Sequence, residues 1–194
     1  QALDDPLGAY VLELDARPLI SWSLAVVRDA GLDVWSAGAR NPELAAYAPV
    51  VPDMWDDVGP LGGVCSALRN TDRDWAVFVT VDQPLMASAL VSGLLKRART
   101  EPSGVMVASL DGYAQTFPAV VRRDVLPTLE AEVEAGRLGC LAAFRAAGLQ
   151  VIAPEELAAA GSGSEGARSP VERWFWNVNT PADLEAIRRT LGGA

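Results

Sequence analysis

The sequence contains no histidine and only two cysteines, and these absences exclude several classes of site. Without histidine the chain has no Ser-His-Asp triad, no imidazole base and no zinc site built on imidazole ligands. Cys65 and Cys140 are far apart, each among apolar residues. They are too few for a disulfide framework and too widely spaced for a zinc site, so we expect buried free thiols, as in a reducing cytoplasm.

Basic residues are also scarce, with 16 Lys and Arg against 25 Asp and Glu and a net charge of −9. Nucleic acids and anionic membranes require basic patches, so neither is an expected partner. No stretch is apolar for long enough to span a bilayer, and no basic segment followed by an apolar one stands at the amino terminus. The composition therefore predicts a soluble, cytoplasmic protein.

What the chain does have is apolar material for a core, because half of its 194 residues are hydrophobic. Strand-like and helix-like segments alternate, which predicts an α/β fold, a single domain over residues 1–194 with three α/β/α layers and a mostly parallel sheet. Strands are predicted at 8–12, 33–37, 49–52, 75–81, 105–109, 115–122 and 150–153. Helices are predicted at 18–30, 62–70, 87–100, 125–135, 140–147 and 181–191. A glycine-rich stretch at about 158–170 predicts a mobile loop.

The stretch VFVTVDQP (77–84) ends an apolar strand on a carboxylate. Its valines are typical of a buried parallel strand, and Pro84 stops the ladder. One interpretation is that Asp82 caps the turn or helix that follows. The other is that Asp82 contacts a ligand, because ligands of open α/β sheets bind outside the carboxyl ends of the strands.

A second candidate region follows the predicted strand PVVP (49–52). Asp53 comes next, and Gly59, Gly62 and Gly63 then lead into a helical pattern. Glycines at this place let the backbone approach a ligand, and a helix N-terminus offers free N–H groups to an anion. The alternative is a tight turn with close helix packing. The spacing matches neither a P-loop nor the dinucleotide fingerprint.

A third candidate is the stretch WNVNTP (176–181). Asn177 and Asn179 are two positions apart, so in an extended segment both side chains point the same way. Two amides on one face suit a planar heterocycle with hydrogen-bonding edges. The alternative is capping of the helix that opens at Pro181, and for Thr180 we prefer the capping role.

Taken together, GPLGGV (59–64), VDQP (81–84) and NVNTPADL (177–184) resemble, in order and spacing, the molybdenum cofactor guanylyltransferases. ELDARPLISWSL (13–24) is similar to that family's segment after its first phosphate-binding loop. QTFPAVV (115–121) is similar to its middle region. The resemblance implies a Rossmann-like nucleotidyltransferase fold.

The resemblance implies an enzyme that transfers GMP from GTP to the phosphate of molybdopterin and releases pyrophosphate. Asp82 would be the catalytic residue and the ligand of Mg²⁺. GTP and molybdopterin would be its partners, with weak contacts to other molybdenum cofactor proteins. Phosphoryl transfer depends on positioning and charge neutralisation, so a chain without histidine suffices.

The resemblance also implies a set of binding residues, of acidic, glycine and amide type. Asp53 would contact the guanine nucleotide, the glycines would shape its cleft, and the asparagines near position 180 would face the pterin. Near the end of the second strand, Asn41 or its neighbour Arg40 is a further candidate. The binding set is Asp53, Gly59, Gly62, Gly63, Asn41, Asn177 and Asn179.

One family motif is missing, the glycine-rich loop after the first strand with the Arg and Lys that grip the triphosphate. AYVL (9–12) runs directly into ELDARPL (13–19), and no lysine precedes Lys96. We hypothesise that about a dozen loop residues are omitted between Leu12 and Glu13. An intact junction there would favour a degenerate, non-catalytic member.

Other functions stay open at this point. A cytidylyltransferase for the same pterin is one, because DQP (82–84) is somewhat more similar to that group. Nucleotidyltransferases for sugars or isoprenoid precursors are another. A non-catalytic scaffold is a third, in which aromatic side chains form a docking surface unless they are core and pocket wall. Those side chains are Trp55, Trp174, Phe175 and Trp176.

Overall fold

A computed structural model of the chain describes residues 12–37, 42–160 and 171–192. The helices are α1 Leu19–Asp29, α2 Pro60–Arg69, α3 Ser88–Ala98, α4 Leu126–Glu134, α5 Cys140–Ala146, α6 Pro154–Ala160 and α7 Pro181–Gly192. The strands are β1 Glu13–Leu14, β2 Arg17–Pro18, β3 Trp75–Phe78, β4 Val105–Leu110, β5 Tyr113–Arg122 and β6 Leu149–Ile152. Turns of 3₁₀ helix occupy Pro42–Ala46, Arg123–Val125 and Val171–Phe175.

The main sheet has the strand order β3-β5-β4-β6. β5 is antiparallel to both of its neighbours, and β4 is parallel to β6. β3, β4 and β6 therefore run in one direction, as predicted, and their carboxyl ends share one edge of the sheet. β5 is reversed because Asp111 and Gly112, at φ 51° and 79°, join it to β4 as a tight hairpin, too short for a crossover.

Alternation along β4 produces the two apolar layers. Val105 and Val107 pack in a cluster with α2, α4 and α5, whereas Met106 and Ala108 pack with α3 and the aromatic pair Trp174 and Phe175. Helices thus cover both faces of the sheet, which is the predicted three-layer arrangement. Within the described ranges, no helix is long and apolar enough to cross a membrane.

A small hairpin, β1–β2, was not predicted from the sequence. Glu13 pairs with Pro18 and Leu14 with Arg17, around a turn in which Asp15 and Ala16 have φ of 50° and 59°. Such turns usually contain glycine, and neither residue here is one, so the usual signal is missing.

The same hairpin includes the junction at which the omitted loop was hypothesised. The Leu12 carbonyl accepts a hydrogen bond from the Leu19 N–H at 2.9 Å, next to the Glu13–Pro18 pair. A loop inserted between Leu12 and Glu13 would therefore have to begin and end at adjacent hydrogen-bonded positions of this hairpin. The hypothesis of an omitted loop stays a prediction, as does the extent of one domain over residues 1–194.

Several predicted strands are shorter in the structure. Residues 33–37 and 49–52 contribute only one parallel bridge, Ser36–Val50, because prolines at both ends of the second segment lack N–H donors. The strand predicted at 75–81 ends at Phe78, before a turn at 81–82. Of the strand predicted at 8–12, residues 8–11 lie outside the described residues, and Leu12 is not in a strand.

The loop predicted at about 158–170 is corrected at its start, because α6 continues to Ala160. The helix begins at Pro154 and has Glu155 and Glu156 in its first turn, both favourable to a helix N-terminus, before a run of alanines. Residues 161–170 lie outside the described residues.

Gly104 tests how tightly β4 packs at its start. A Cβ there would lie 2.2 Å from the Ala147 carbonyl oxygen and 2.5 Å from Val125 Cγ1. We expect Gly104→Ala to lower the free energy of unfolding by about 1–3 kcal/mol, because the neighbouring backbone must shift. Chemical denaturation measures the effect. The matched control is Gly139→Ala, where the nearest side-chain atom is 4.0 Å away. Equal stability of the two variants would contradict the prediction.

Candidate functional site

Asp82 lies in the turn after β3, at the carboxyl edge of the sheet. Its main-chain carbonyl accepts a hydrogen bond from the Val178 N–H at 2.8 Å. Its side-chain oxygen Oδ1 is buried and has no hydrogen-bond partner among the described residues. The next helix, α3, has Ala87 at its N-cap and no side-chain cap, so the interpretation that Asp82 caps this helix is wrong.

Two more oxygen atoms near Asp82 are buried without a partner. They are Thr80 Oγ1 and Gln83 Oε1, so three unpaired oxygens fall within four consecutive positions. Leaving one buried polar atom unpaired costs about 1–3 kcal/mol. Unpaired buried oxygens at neighbouring positions of one turn are groups that a bound cation or another ligand would satisfy.

The turn that carries Asp82 is held from three sides. On α1, the Ser23 hydroxyl donates to the Thr80 carbonyl at 2.8 Å. The Val81 side chain packs against two apolar clusters, one formed by the hairpin, α1 and α7, the other by α1 and residues 34–50. These contacts fix the backbone while the oxygen atoms stay unpaired, so the site is preorganised.

Residues 177–179 form the other wall of this site. Val178 is buried in the cluster with α7, whereas Asn177 and Asn179 are exposed. Because side chains alternate along an extended segment, the two amides lie on the face opposite Val178, which agrees with the orientation expected from the sequence. The Val178–Asp82 hydrogen bond places these amides beside the carboxylate-bearing turn.

A capping box fixes the start of α7 next to these amides. Asp183 Oδ2 accepts hydrogen bonds from the N–H groups of Asn179 at 3.0 Å and Thr180 at 2.7 Å. In return, Thr180 Oγ1 accepts from the Asp183 N–H at 3.2 Å. The capping role preferred for Thr180 is confirmed. Hydrogen bonds, first from the Thr180 hydroxyl and then from the two N–H groups, lower the pKa of Asp183.

The structure gives the glycines of the second region distinct roles. Gly59 is the N-cap of α2 with φ 70°, a left-handed conformation that favours glycine, and Pro60 follows it. Gly62 packs closely, because a Cβ there would lie 3.1 Å from Val58 Cβ, and this supports the packing alternative for Gly62. Gly63 is buried within the helix. The first turn of α2 has no side-chain cap, but Pro60 lacks an N–H and the Gly62 N–H donates to the Gly59 carbonyl at 3.1 Å, so the Leu61 N–H is the donor of this turn that could meet an anion.

Asp53 is exposed in the loop before α2. The Met54 N–H donates to Ser66 Oγ on α2 at 3.0 Å and ties this loop to the helix. The strand segment before the loop shares one apolar cluster with Val81 through Val50. The structure therefore links the segment before Asp53 to the Asp82 region through this cluster, and the role of Asp53 stays a prediction. Asn41 and Arg40 lie outside the described residues.

Among the predicted site residues, Asp82 meets the segment of Asn177 and Asn179 directly, through the Val178 hydrogen bond. Asp53 and the glycines belong to another segment, before and at the start of α2. Among the residues that the structure describes, no group of three or more Cys, Asp or Glu side chains is arranged to hold a metal ion. Sequence reasoning missed the unpaired oxygens of Thr80 and Gln83, because burial depends on packing that no local pattern reveals.

The aromatic docking surface is contradicted by burial. Trp174 and Phe175 are core residues, 1% and 5% exposed, and Trp55 is half-buried against the core cluster of α2. Trp176 alone of the four is substantially exposed. The core interpretation, stated above as the alternative, is therefore correct for Trp174 and Phe175.

Comparison with protein families finds a match to the MobA-like NTP transferase domain over residues 10–173. A molybdenum cofactor guanylyltransferase of Vibrio atlanticus is 33% identical over 128 residues, which are 65% of this chain and 66% of the relative. One of Pseudomonas entomophila is 39% identical over 62% of this chain and 64% of the relative. Slightly less than two thirds of each of these relatives is therefore matched. A third, of Photobacterium profundum, is 25% identical over 93% of this chain and 87% of the relative.

Solved structures show the same fold. Molybdopterin-guanine dinucleotide biosynthesis protein A from Archaeoglobus fulgidus superimposes with a TM-score of 0.77 at 19% identity, over 96% of this chain and 92% of that one. The 2-C-methyl-D-erythritol 4-phosphate cytidylyltransferase from Thermus thermophilus gives 0.63 at 18% identity, over 96% and 94%. These likenesses confirm the nucleotidyltransferase-like fold that was predicted from the sequence.

The Asp183 capping box generates a prediction about pH. We expect Asp183→Asn to lower the melting temperature at pH 7, because the amide replaces a charged acceptor at the N-terminus of α7. A lowered pKa in the folded state gives stability above the unfolded pKa of about 3.9 that is lost as the pH falls through the folded value. The difference in melting temperature between the unmodified protein and Asp183→Asn should therefore become smaller as the pH falls. Thermal melts from pH 7 to pH 3 measure it, and a gap that widens in acid would contradict this assignment.

Proposed function

Because the chain belongs to the MobA-like NTP transferase family, we propose that it transfers GMP from GTP to the phosphate of molybdopterin with release of pyrophosphate. The match to this family over residues 10–173 confirms the family resemblance identified in the sequence. The observation that supports the site of this activity is the buried, unpaired Oδ1 of Asp82 at the carboxyl edge of the sheet. Ligands of open α/β sheets bind at this edge.

Nucleotidyltransferases of this type generally use a divalent metal ion, and the residues present suit Mg²⁺. Mg²⁺ prefers oxygen ligands and usually takes one or two carboxylates, with substrate phosphates and water completing its shell. Asp82 offers an unpaired carboxylate oxygen, with the unpaired oxygens of Thr80 and Gln83 nearby in the chain. A bound ion would neutralise charge on the triphosphate.

The protein's own side chains would position the ion and the two substrates. Asp82 would hold the ion on a turn that is fixed by Ser23 and Val178. The attacking group on the acceptor is an ionised phosphate, so no base is required, and the absence of histidine removes nothing that the reaction needs. We assign Asn177 and Asn179 to the acceptor side, where their amides match the donors and acceptors of a pterin edge.

We assign nucleotide binding to the segment that contains Asp53 and the glycines at the start of α2. The N-terminus of α2, with Gly59 in its left-handed conformation, would direct the Leu61 N–H and the positive end of the helix toward phosphate oxygens. Asp53 on the preceding loop is assigned to the nucleotide. Gly62 and Gly63 act by letting α2 pack closely, which sets the position of that N-terminus.

Asp82→Asn tests the assignment of the metal ligand. We expect pyrophosphate release to fall by at least a hundredfold, because the amide keeps the shape of the carboxylate but not its charge. The melting temperature should stay unchanged or rise, since Oδ1 of Asp82 is buried and has no hydrogen-bond partner among the described residues. Pyrophosphate is measured with GTP, Mg²⁺ and molybdopterin. The matched control is Asp72→Asn at the other end of β3, where the carboxylate is 99% exposed. Full activity in Asp82→Asn, with a large loss of stability, would refute the assignment.

Asn177→Ala tests the acceptor side. We expect the KM for molybdopterin to rise roughly tenfold, as the loss of one or two hydrogen bonds predicts, while the Kd for GTP with Mg²⁺ stays unchanged. Steady-state kinetics and calorimetric titration separate the two quantities. Asn70→Ala, at the far end of α2, makes the same change away from the site. A larger Kd for GTP in Asn177→Ala would contradict this assignment and indicate that Asn177 contacts the nucleotide.

A non-catalytic, nucleotide-binding role is the second candidate, and a specific observation favours it. The described residues contain no glycine-rich loop with an adjoining Arg and Lys, and Lys96 lies in the last turn of α3. Turnover with GTP, CTP, ATP and UTP decides between the proposals. GTP-specific release supports the guanylyltransferase, CTP-specific release supports a cytidylyltransferase, and binding without release supports the second candidate.

We also propose a cytoplasmic location. Cys65 and Cys140 are buried free thiols. Burial raises the pKa of Cys65 to about 12, and burial likewise raises the pKa of Cys140 to about 11. Both thiols therefore stay protonated and unreactive at neutral pH, which supports a reducing compartment.

A further inference from the structure

The hydroxyl group of Thr80 makes no hydrogen bond within the described residues, although its Oγ1 atom is buried. The main chain of the same residue is well held, because its carbonyl accepts a hydrogen bond from the Ser23 hydroxyl at 2.8 Å. A buried hydroxyl without a partner destabilises a protein, and a bound ligand is one way to satisfy it. Thr80 as a whole is only half-buried, so its hydroxyl lies close to the surface of the molecule.

The side chain of Thr80 lies on the face of the sheet that α2 covers. Val79 packs in the cluster with α3, and Val81 packs against α1, which contributes to that same cluster. Ala76 and Phe78 pack in the other cluster, with α2. Because side chains alternate between the two faces of an extended chain, Thr80 follows Ala76 and Phe78.

The first turn of α2 lies at the same end of β3 as Thr80. Residues 70–74 connect the end of α2 to the start of β3, and such a short connection makes the helix and the strand antiparallel. The helix therefore begins near the carboxyl end of the strand, where Leu61 and Phe78 share one apolar cluster. The Leu61 N–H and the positive end of the helix are thus on the face and at the edge where Thr80 lies.

We propose that Thr80 is a further substrate-binding residue, whose hydroxyl donates a hydrogen bond to a phosphate oxygen of the nucleotide. This inference rests on the proposed function and assigns a residue to the triphosphate. A phosphate oxygen accepts from a hydroxyl, which can donate as well as accept. The nearby positive end of α2 favours an anionic group over the nucleoside at this place. Asp82, two positions further on, repels phosphate unless a cation lies between them.

Thr80→Val tests this contact, because valine keeps the branched shape of threonine and removes only the hydroxyl. We expect the Kd for GTP with Mg²⁺ to rise about tenfold to a hundredfold, as the loss of a hydrogen bond to a charged group predicts. Thr80→Ser keeps the hydroxyl and should restore binding to within about threefold of the unmodified protein. Calorimetric titration measures each Kd. Unchanged binding in a folded Thr80→Val variant overturns the proposal.

Two simpler probes separate the phosphates from the nucleoside. Inorganic triphosphate with Mg²⁺ should lose affinity in Thr80→Val by the same factor as GTP, because it offers the same phosphate oxygens. Guanosine, which has no phosphate, should bind Thr80→Val and the unmodified protein equally. A loss of affinity for guanosine without a loss for triphosphate would place Thr80 against the nucleoside and overturn the proposal.

Ser103→Ala is the matched control. Ser103 also has a buried hydroxyl without a hydrogen-bond partner and is 6% exposed, but it precedes β4, at the opposite edge of the sheet. Removal of either hydroxyl should leave the melting temperature of the ligand-free protein unchanged or raise it. Only Thr80→Val should weaken the binding of GTP. Equal weakening in Ser103→Ala would show a general effect on the fold and would overturn the proposal.

A measurement on the unmodified protein covers the case in which Thr80→Val does not fold. The methyl resonance of Thr80 should shift when inorganic triphosphate and Mg²⁺ are added, and the resonances of Ser103 should not. An unshifted Thr80 methyl resonance overturns the proposal. GTP binding that Asp82→Asn weakens and Thr80→Val does not would refute this inference alone. If the unmodified protein binds no nucleoside triphosphate, the proposed function fails together with it.

Discussion

The hydrogen bond from the Val178 N–H to the Asp82 carbonyl is the contact on which the proposed site depends. It joins the turn after β3 to the segment before α7, although the two are distant in sequence. Because it uses main-chain atoms, it leaves the side chains of Asp82, Asn177 and Asn179 available. Each partner is anchored again, the turn through Ser23 and the segment through the capping box of α7. The proposed ion ligand and the proposed acceptor contacts are therefore held in one frame.

The stability of this frame and the chemistry proposed for it act in opposite directions. Unpaired oxygens at Thr80, Asp82 and Gln83 destabilise the fold in the absence of a ligand. The Val81 side chain offsets part of this cost because it packs in two apolar clusters at once. Ligand-binding residues commonly destabilise the ligand-free protein in this way, and the packing around the turn keeps it folded.

Sequence reasoning succeeded where a local pattern determines the structure and failed where distant packing does. Helical periodicity located the main helices, and an acid directly after an apolar strand singled out Asp82. The β1–β2 hairpin was missed because Asp15 and Ala16 adopt positive φ without a glycine. β5 is antiparallel because the turn at Asp111–Gly112 is short. Strand propensity predicts that a strand forms but not the direction in which it runs. The unpaired state of the Thr80 and Gln83 side chains depends on how the folded chain buries them, and no local stretch of sequence encodes it.

Charge explains why an ion is central to the proposed reaction. The chain carries a net charge of −9, and a nucleoside triphosphate is itself strongly anionic, so long-range electrostatics oppose their association. In the described part of the chain, two basic groups at the β1–β2 hairpin have partners of their own, since the Arg188 guanidinium donates to the Glu13 carbonyl and Arg17 stacks on Trp22 at 4.7 Å. A divalent cation beside Asp82 would reverse the local sign where the phosphates must lie. The acidic composition thus makes metal-assisted binding the consistent way for the proposed site to hold an anionic substrate.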